Sequence, residues 1–320
     1  MSTARSPVPR PFGRGLLRVG ALAALLAALL VMAACGGGGE RGTAASDGRT
    51  PEDGEIRLVV SRDFGAEVLR DVVVPAEAPT DVLRVLAENA ELDTGYGGQF
   101  VNGIDGLKST FGGGSADAAD WFYWVDGVLG DVGAADWKLK GGETVWWDYH
   151  RWADAMMLPL ALHAFPRPYT GRPLAVTAAA DVAGLGDWAA ANGLGLAARR
   201  PLTRHAPSGG LVLVTASEAA ATPWVLELVG ASRVGVHMVR ITKDGLRLSS
   251  TAGDVGPAAA AAAIPASNPD DPARPYLVVV GATTADLVSF VPQLTPENLN
   301  AAVAVALVDG DLVHLPWQGE

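Results

Sequence analysis

One cysteine stands in the 320 residues, so no disulfide can form within the chain and no thiolate cluster can hold a metal. Whatever folds here is held by apolar packing alone, and at 49% hydrophobic residues the material for that is present. The position of Cys35 constrains the chain further. It lies directly behind an unbroken apolar run, Ala21–Ala34, and four arginines (Arg5, Arg10, Arg14, Arg18) precede that run with no acidic residue among them. A basic stretch, a short apolar stretch and small residues before a cut site make a secretory signal. Fourteen apolar residues fall short of the roughly 20 that a helix needs to cross a bilayer.

Val31-Met32-Ala33-Ala34-Cys35-Gly36 resembles the bacterial lipobox, with Met where Leu is more usual. The resemblance implies diacylglycerol on the Cys35 sulfur, cleavage before it, and an extracytoplasmic protein anchored to the cell membrane by lipid. A signal of residues 1–34 leaves 286 residues, enough for about two domains. The signal carries four of the 24 basic residues and none of the 35 acidic ones, so the mature chain bears 20 against 35, a net −15. Nucleic-acid binding leaves a basic stripe, and none exists; Arg199, Arg200, Arg204 and His205 form the one basic cluster, read as a solvated loop.

Residues 35–54 are Gly, Ala, Ser and charged, with almost nothing to bury, and read as a flexible tether. Alternation from Glu55 to Val60 predicts a strand, and Val72–Val74 a second. Thr80 or Asp81 then caps a helix whose apolar positions are Val82, Leu83, Val85, Leu86 and Ala90. Trp121–Val125 running into Asp126-Gly127 predicts a hairpin, and Thr144–Tyr149 a further strand. Residues 55–152 therefore read as an α+β domain, a small β-grasp-like sheet with one helix on it.

Residues 153–320 read as a second α/β or α+β domain, joined through the Pro- and Gly-rich stretch 166–173. Leu174–Thr177 suggests a strand and Asp181–Asn192 a helix weakened by Gly184 and Gly186. An internal similarity at an offset of 65 residues pairs Leu211–Val214 with Tyr276–Val279 and Asp244-Gly245 with Asp309-Gly310. Residues 211–251 and 276–316 would each be a βαββ unit, with helices Ser217–Val229 and Thr284–Val291 behind capping boxes at Thr215 and Thr283. The closing hairpins would be Val234–Ser250 and Ala302–Leu315. Chance is the competing explanation, because βαββ strings are common. Ala258–Ala263 and Asn268–Pro272 read as a low-complexity surface loop.

Six of the nine tryptophans lie between Trp121 and Trp152. Cross-strand pairing accounts for at least half of Trp121, Trp124, Trp137 and Trp146, but such density exceeds what one small sheet needs. Alternation puts Trp121, Tyr123 and Val125 on one face, Phe122 and Trp124 on the other, and separates Trp146 from Trp147. The candidate ligand or partner surface is drawn from the outward members of Trp121, Tyr123, Trp124, Trp137, Trp146, Trp147 and Tyr149.

Gly98-Gln99-Phe100-Val101, Ile104-Asp105-Gly106, Trp121–Gly127, Gly133-Ala134, Trp137-Lys138-Leu139 and Gly142–Trp147 resemble the C-terminal domain of transcobalamin and intrinsic factor, which recurs in bacterial surface proteins as a domain of unknown function. The resemblance covers residues 55–150. Asp126 replaces the family's usual Asn and Trp137 its common Tyr, both tolerable in a turn and a packed ring. It implies cobalamin, or another corrinoid, as a ligand held beside this domain; the helical barrel of those carriers is not readable here, and no residue-specific binding motif carries over.

No Walker loop, Gly-x-Gly-x-x-Gly turn, Gly-x-Ser-x-Gly elbow or His-Glu-x-x-His helix occurs. The five histidines (His150, His163, His205, His237, His314) share no metal-ligand spacing. A non-enzyme without a metal or resident cofactor is expected. It would bind a small planar molecule between its domains, or else serve as an adhesive or transporter-accessory protein using the aromatic domain for protein contacts. A deep interdomain pocket would favour the first and a flat exposed aromatic patch the second.

Overall fold

The computed structural model describes residues 44–45, 48–76, 79–110, 118–155, 157–230 and 238–319. Cys35 and the signal lie outside the described residues. The molecule is α+β, with two principal sheets.

The first sheet uses β1 (Ala44–Ala45), β2 (Glu55–Arg62), β3 (Glu67–Pro75), β4 (Ala119–Val125), β5 (Val128–Leu129) and β6 (Glu143–Arg151), in the spatial order β1-β3-β2-β6-β4-β5. β2 and β6 lie parallel at its centre, and every other pairing is antiparallel. A hairpin, a helix and a return strand beside the first is β-grasp topology. Asp126 and Gly127 turn β4 into β5 with φ of 48° and 81°, the left-handed pair that an Asp-Gly hairpin turn needs.

Helix α1 (Val82–Ala87) is capped by Asp81, whose carboxylate accepts from the Arg84 N–H at 2.9 Å. It stops before Ala90, because the Asn89 amide turns back onto the Val85 carbonyl and competes with the next helical bond. Val82, Val85 and Leu86 face the sheet.

The tether is shorter than its composition suggests. Ala44 and Ala45 pair with Val73 and Val72 on the open edge of β3, and the buried Gly48 gives its carbonyl to Arg57. From Ala44 onward the chain is thus partly tied to the sheet, whose edge it blunts.

The second sheet comprises β7 (Leu174–Ala178), β8 (Leu196–Arg200), β9 (Gly210–Thr215), β10 (Ala261–Ala266), β11 (Tyr276–Gly281), β12 (Ala304–Val308) and β13 (Asp311–Leu315), in the order β8-β7-β9-β11-β10-β12-β13. The first four in that order are mutually parallel; β10, β12 and β13 extend the sheet by antiparallel pairing. Both faces are covered, so the central strands are apolar on both sides. Leu211 and Leu213 face α2 (Leu185–Ala191) and α5 (Thr284–Phe290), while Val212 and Val214 face α3 (Ala216–Ala220) and α4 (Pro223–Gly230).

Both expected capping boxes form, at Thr215 with Glu218 and at Thr283 with Asp286. The first of the paired helices is broken in two at Pro223, which cannot donate to the preceding turn. Each segment reads strand, helix, hairpin, yet the hairpins go to different places. Ala304–Leu315 joins the main sheet, whereas Val239–Ser249 pairs with Val255–Ala259 in a separate three-stranded sheet. Residues 231–237, which include the first four positions of the expected hairpin Val234–Ser250, lie outside the described residues.

The alanine run corrects an expectation. Ala261, Ala262 and Ala263 are fully buried in β10, between β11 and β12, and not in a surface loop. Small side chains let elements on both faces approach the strand closely.

Candidate functional site

β4 and β6 run antiparallel with Trp124 opposite Trp146, Tyr123 opposite Trp147, and Trp121 opposite Tyr149. The alternation expected from sequence holds. Trp121, Tyr123 and Trp147 enter the core beneath α1, with ring pairs at 5.2 Å (Trp121–Tyr149) and 5.1 Å (Tyr123–Trp147). Trp124 and Trp146 point the other way and stack at 4.7 Å.

That second face is not a surface. Trp124 and Trp146 are 0% exposed, sharing one core with Val59 of the first sheet, Phe64 of the turn after β2, and Val212, Val278 and Val303 of the second half. Trp121, Tyr123 and Trp147 are buried, and Trp137 and Tyr149 half-buried at the rim. The expected aromatic docking surface is therefore corrected, since none of the seven rings is exposed. Five of the seven polar tips are also spent internally, whereas the buried Trp147 Nε1 has no hydrogen-bond partner. Trp121 donates to the Leu107 carbonyl, Trp124 to that of Leu158, Tyr123 to that of Val132, Tyr149 to that of Lys108, and Trp146 to Ser61 Oγ. A ring whose N–H or O–H already bonds to backbone is placed for packing.

Pattern reading missed the polar group beneath the stack. Asp148 is fully buried on β6 and accepts from Ser61 Oγ (2.5 Å), the Phe64 N–H (2.9 Å) and the Gly65 N–H (3.0 Å), with His150 Nδ1 at 2.9 Å. The imidazole is sandwiched between Phe64 at 4.3 Å and Phe122 at 4.4 Å. Ser61, Asp148 and His150 are not a catalytic triad. The serine bonds to the acid and not to the imidazole, whereas nucleophile activation needs the imidazole between them. The carboxylate instead pins the turn at Asp63, Phe64 and Gly65, all left-handed with φ of 55°, 59° and 81°. That turn meets the second half so closely that a Cβ on Gly65 would lie 1.7 Å from the Ala301 carbonyl oxygen.

Two further ties join the halves. Arg57, buried on β2, binds Asp71 through Nε and Nη2 and the Asn300 side chain through Nη2 (2.7 Å), while the Asn300 amide returns to Asp71 (3.0 Å). Arg167 binds Asp126 at 2.6 Å. His163 lies fully buried against Trp146, ring centroids 4.8 Å apart, and neither of its nitrogens has a hydrogen-bond partner. Burial first, and then the Arg57 charge, hold its pKa well below the usual histidine value, with the Thr144 backbone acting in the opposite sense.

No group of three or more His, Cys, Asp or Glu side chains fit to hold a metal occurs among the described residues, and no described helix is long and apolar enough to cross a membrane. Among the described residues, hollows open to the surface at several places, two of them the roomier. One, of about 500 Å³ beside Leu226 and Ile241, is also lined by Gly230, the last described residue before 231–237. The other, of about 280 Å³, is lined by described residues only, among them Pro168, Tyr169, Arg172 and Arg274.

This architecture is a β-grasp sheet sharing a core with a mixed α/β sheet. A family described as Domain of unknown function (DUF4430) matches residues 80–151, from the strand before α1 to the end of β6. No curated protein matches the chain significantly.

Proposed function

We propose that the protein is an extracytoplasmic lipoprotein, held to the membrane by diacylglycerol on Cys35, whose folded part binds a small molecule without catalysing a reaction. The anchor rests on the signal and lipobox-like residues 1–36. Two acyl chains meet the requirement for stable attachment, which one chain alone does not. The observation that carries the binding half is the hollow of about 280 Å³ in the second half, just below the size range of sites for drug-sized ligands and walled mainly by apolar residues.

The DUF4430 match supports the finer reading of residues 55–150 as a transcobalamin-like domain, because the matched segment carries most of the motifs of that resemblance. A corrinoid is nonetheless not the ligand we favour, since the face that would meet a planar ring is filled by the chain's own second half. The alternative, a surface or transporter-accessory module, draws support from Tyr96. It is 83% exposed at the tip of the Gly95–Gly98 turn, where a partner protein could reach it.

Cys35→Ser tests the anchor. The variant should leave the membrane fraction and lose incorporation of an alkyne fatty acid; full retention with the signal uncut would replace the lipid by a transmembrane anchor. Titration with cobinamide, corrected for absorption, should give no saturable quenching of tryptophan fluorescence, and micromolar quenching would restore the corrinoid reading.

A further inference from the structure

The hollow of about 280 Å³ lies where the three central parallel strands β7, β9 and β11 begin. Ligands of open α/β sheets usually sit at the carboxyl ends of the strands, so this site has to be judged by its own chemistry. Its walls are rigid and apolar: Pro168, Pro173 and Pro275 have fixed backbone φ, and the buried Tyr169 is tied by its hydroxyl to the Tyr276 carbonyl at 3.2 Å.

Two arginines complete the lining. Arg172 donates through Nη2 to the Ala273 carbonyl, and Arg274 pairs through Nε with Asp271 at 3.1 Å. Neither has any other partner among the described residues, so several N–H donors remain on each. The loop carrying Arg274 is held from inside by the buried Asn268, whose amide donates to the Arg274 carbonyl (3.1 Å) and whose oxygen accepts from the Asp270 N–H (3.1 Å). Two arginines at one apolar hollow stand out in a chain that bears a net −15 after its signal. The guanidinium fork matches a carboxylate, and prolines with a tyrosine suit a compact apolar body.

We propose that this hollow binds a small organic carboxylate, its acid group held by Arg172 and Arg274 and its apolar part between Pro168, Tyr169 and Pro275. The proposal rests on the reading of the protein as a small-molecule binder and adds the site and the ligand class. The test is calorimetry and thermal shift on the full-length protein in detergent, using isovalerate and phenylacetate with the neutral amide phenylacetamide as control. Both acids should bind and the amide should not. Arg172→Gln and Arg274→Gln should each weaken binding roughly ten- to hundredfold, and Arg172→Lys less, since it keeps the charge but not the fork. Both arginines are surface residues, and an unchanged melting temperature of the free variants would show that folding is intact. Equal binding of amide and acid, or binding insensitive to both substitutions, overturns carboxylate recognition and leaves the small-molecule reading standing. If neither these probes nor a chemically diverse set of small molecules shifts the melting temperature, both readings fall.

Discussion

His163→Leu should remove an acid-sensitive step from the stability of this protein. The imidazole is fully buried against Trp146, makes no hydrogen bond of normal geometry, and feels the charge of the buried Arg57 guanidinium, which is paired with Asp71. The folded state therefore keeps the ring neutral, with its pKa well below 6.5, while the unfolded chain protonates it near that value. Between the two pKa values the unfolded state binds more protons, so stability falls as pH falls, at a limiting slope of about 1.4 kcal/mol per pH unit. Integrated from pH 7 to pH 5, one such histidine costs about 2 kcal/mol where the folded ring stays neutral throughout. His314, whose pKa burial also lowers, acts in the same sense and is left in place by the substitution.

Leucine is close in volume and carries no polar atoms, so it removes two unpartnered nitrogens while forfeiting the ring contact with Trp146. At pH 7.5 these effects oppose each other and the variant should lie within about 1 kcal/mol of the parent. At pH 5 it should be the more stable, by about 2 kcal/mol beyond any difference at pH 7.5. Urea unfolding of the compact unit Gly42–Glu320, followed by tryptophan fluorescence at pH 5, 6, 7 and 7.5, measures this directly. Parallel stability curves for parent and variant would refute the reasoning, because they would mean that His163 takes up its proton equally in both states.

Gly65→Ala should be among the most damaging single changes, since the new Cβ would meet the Ala301 carbonyl oxygen and the residue is held at φ 81°. A loss of about 3 kcal/mol or more is expected, roughly 1–2 of it from the left-handed backbone and the rest from moving one half against the other, and a melting temperature unchanged within 2 °C in differential scanning calorimetry would contradict the docking of that turn. Asp148→Ala should strand the Phe64 and Gly65 amides and the Ser61 hydroxyl in a dry core, costing about 3 kcal/mol or more. Amide hydrogen exchange checks it, because Phe64 and Gly65 should lose protection before the centre of β2 does.

Local signals in this chain were reliable where the chemistry was local. Asp81, Thr215 and Thr283 cap the helices expected of them, and Asp126-Gly127 and Asp309-Gly310 make their hairpins, because each depends on a few bonds within four residues. Expectations failed where a distant segment decided the outcome. The run Ala258–Ala263 has the composition of a loop, yet two of its residues lie in Val255–Ala259 and the last three are central in the second sheet, since alanine has no preference strong enough to resist a slot between two apolar strands. The polar ties Arg57–Asp71–Asn300 and Ser61–Asp148–His150 join positions far apart in sequence and leave no periodic trace.

The aromatic cluster shows the same limit more sharply. Alternation sorted the rings of β4 and β6 correctly between two faces, but both faces are covered by protein. Six tryptophans in one stretch are more than a β-grasp sheet of this size can bury under a single helix, and that surplus was the real signal. Such a sheet needs a second cover, which can be a ligand, a partner or more of the same chain. Here the second half supplies it, with Val212, Val278 and Val303 against Trp124 and Trp146. The polar side chains interleaved with those rings on β6, Asp148 and His150, fit that cover as well. A solvent-facing strand would need no turn amides to satisfy its carboxylate, whereas a face sealed by protein must provide them, and the left-handed turn at Asp63–Gly65 does so. Aromatic density whose rings are buried and mostly bonded to the chain's own backbone therefore marks an internal joint, and the proposed carboxylate site lies elsewhere, at Arg172 and Arg274.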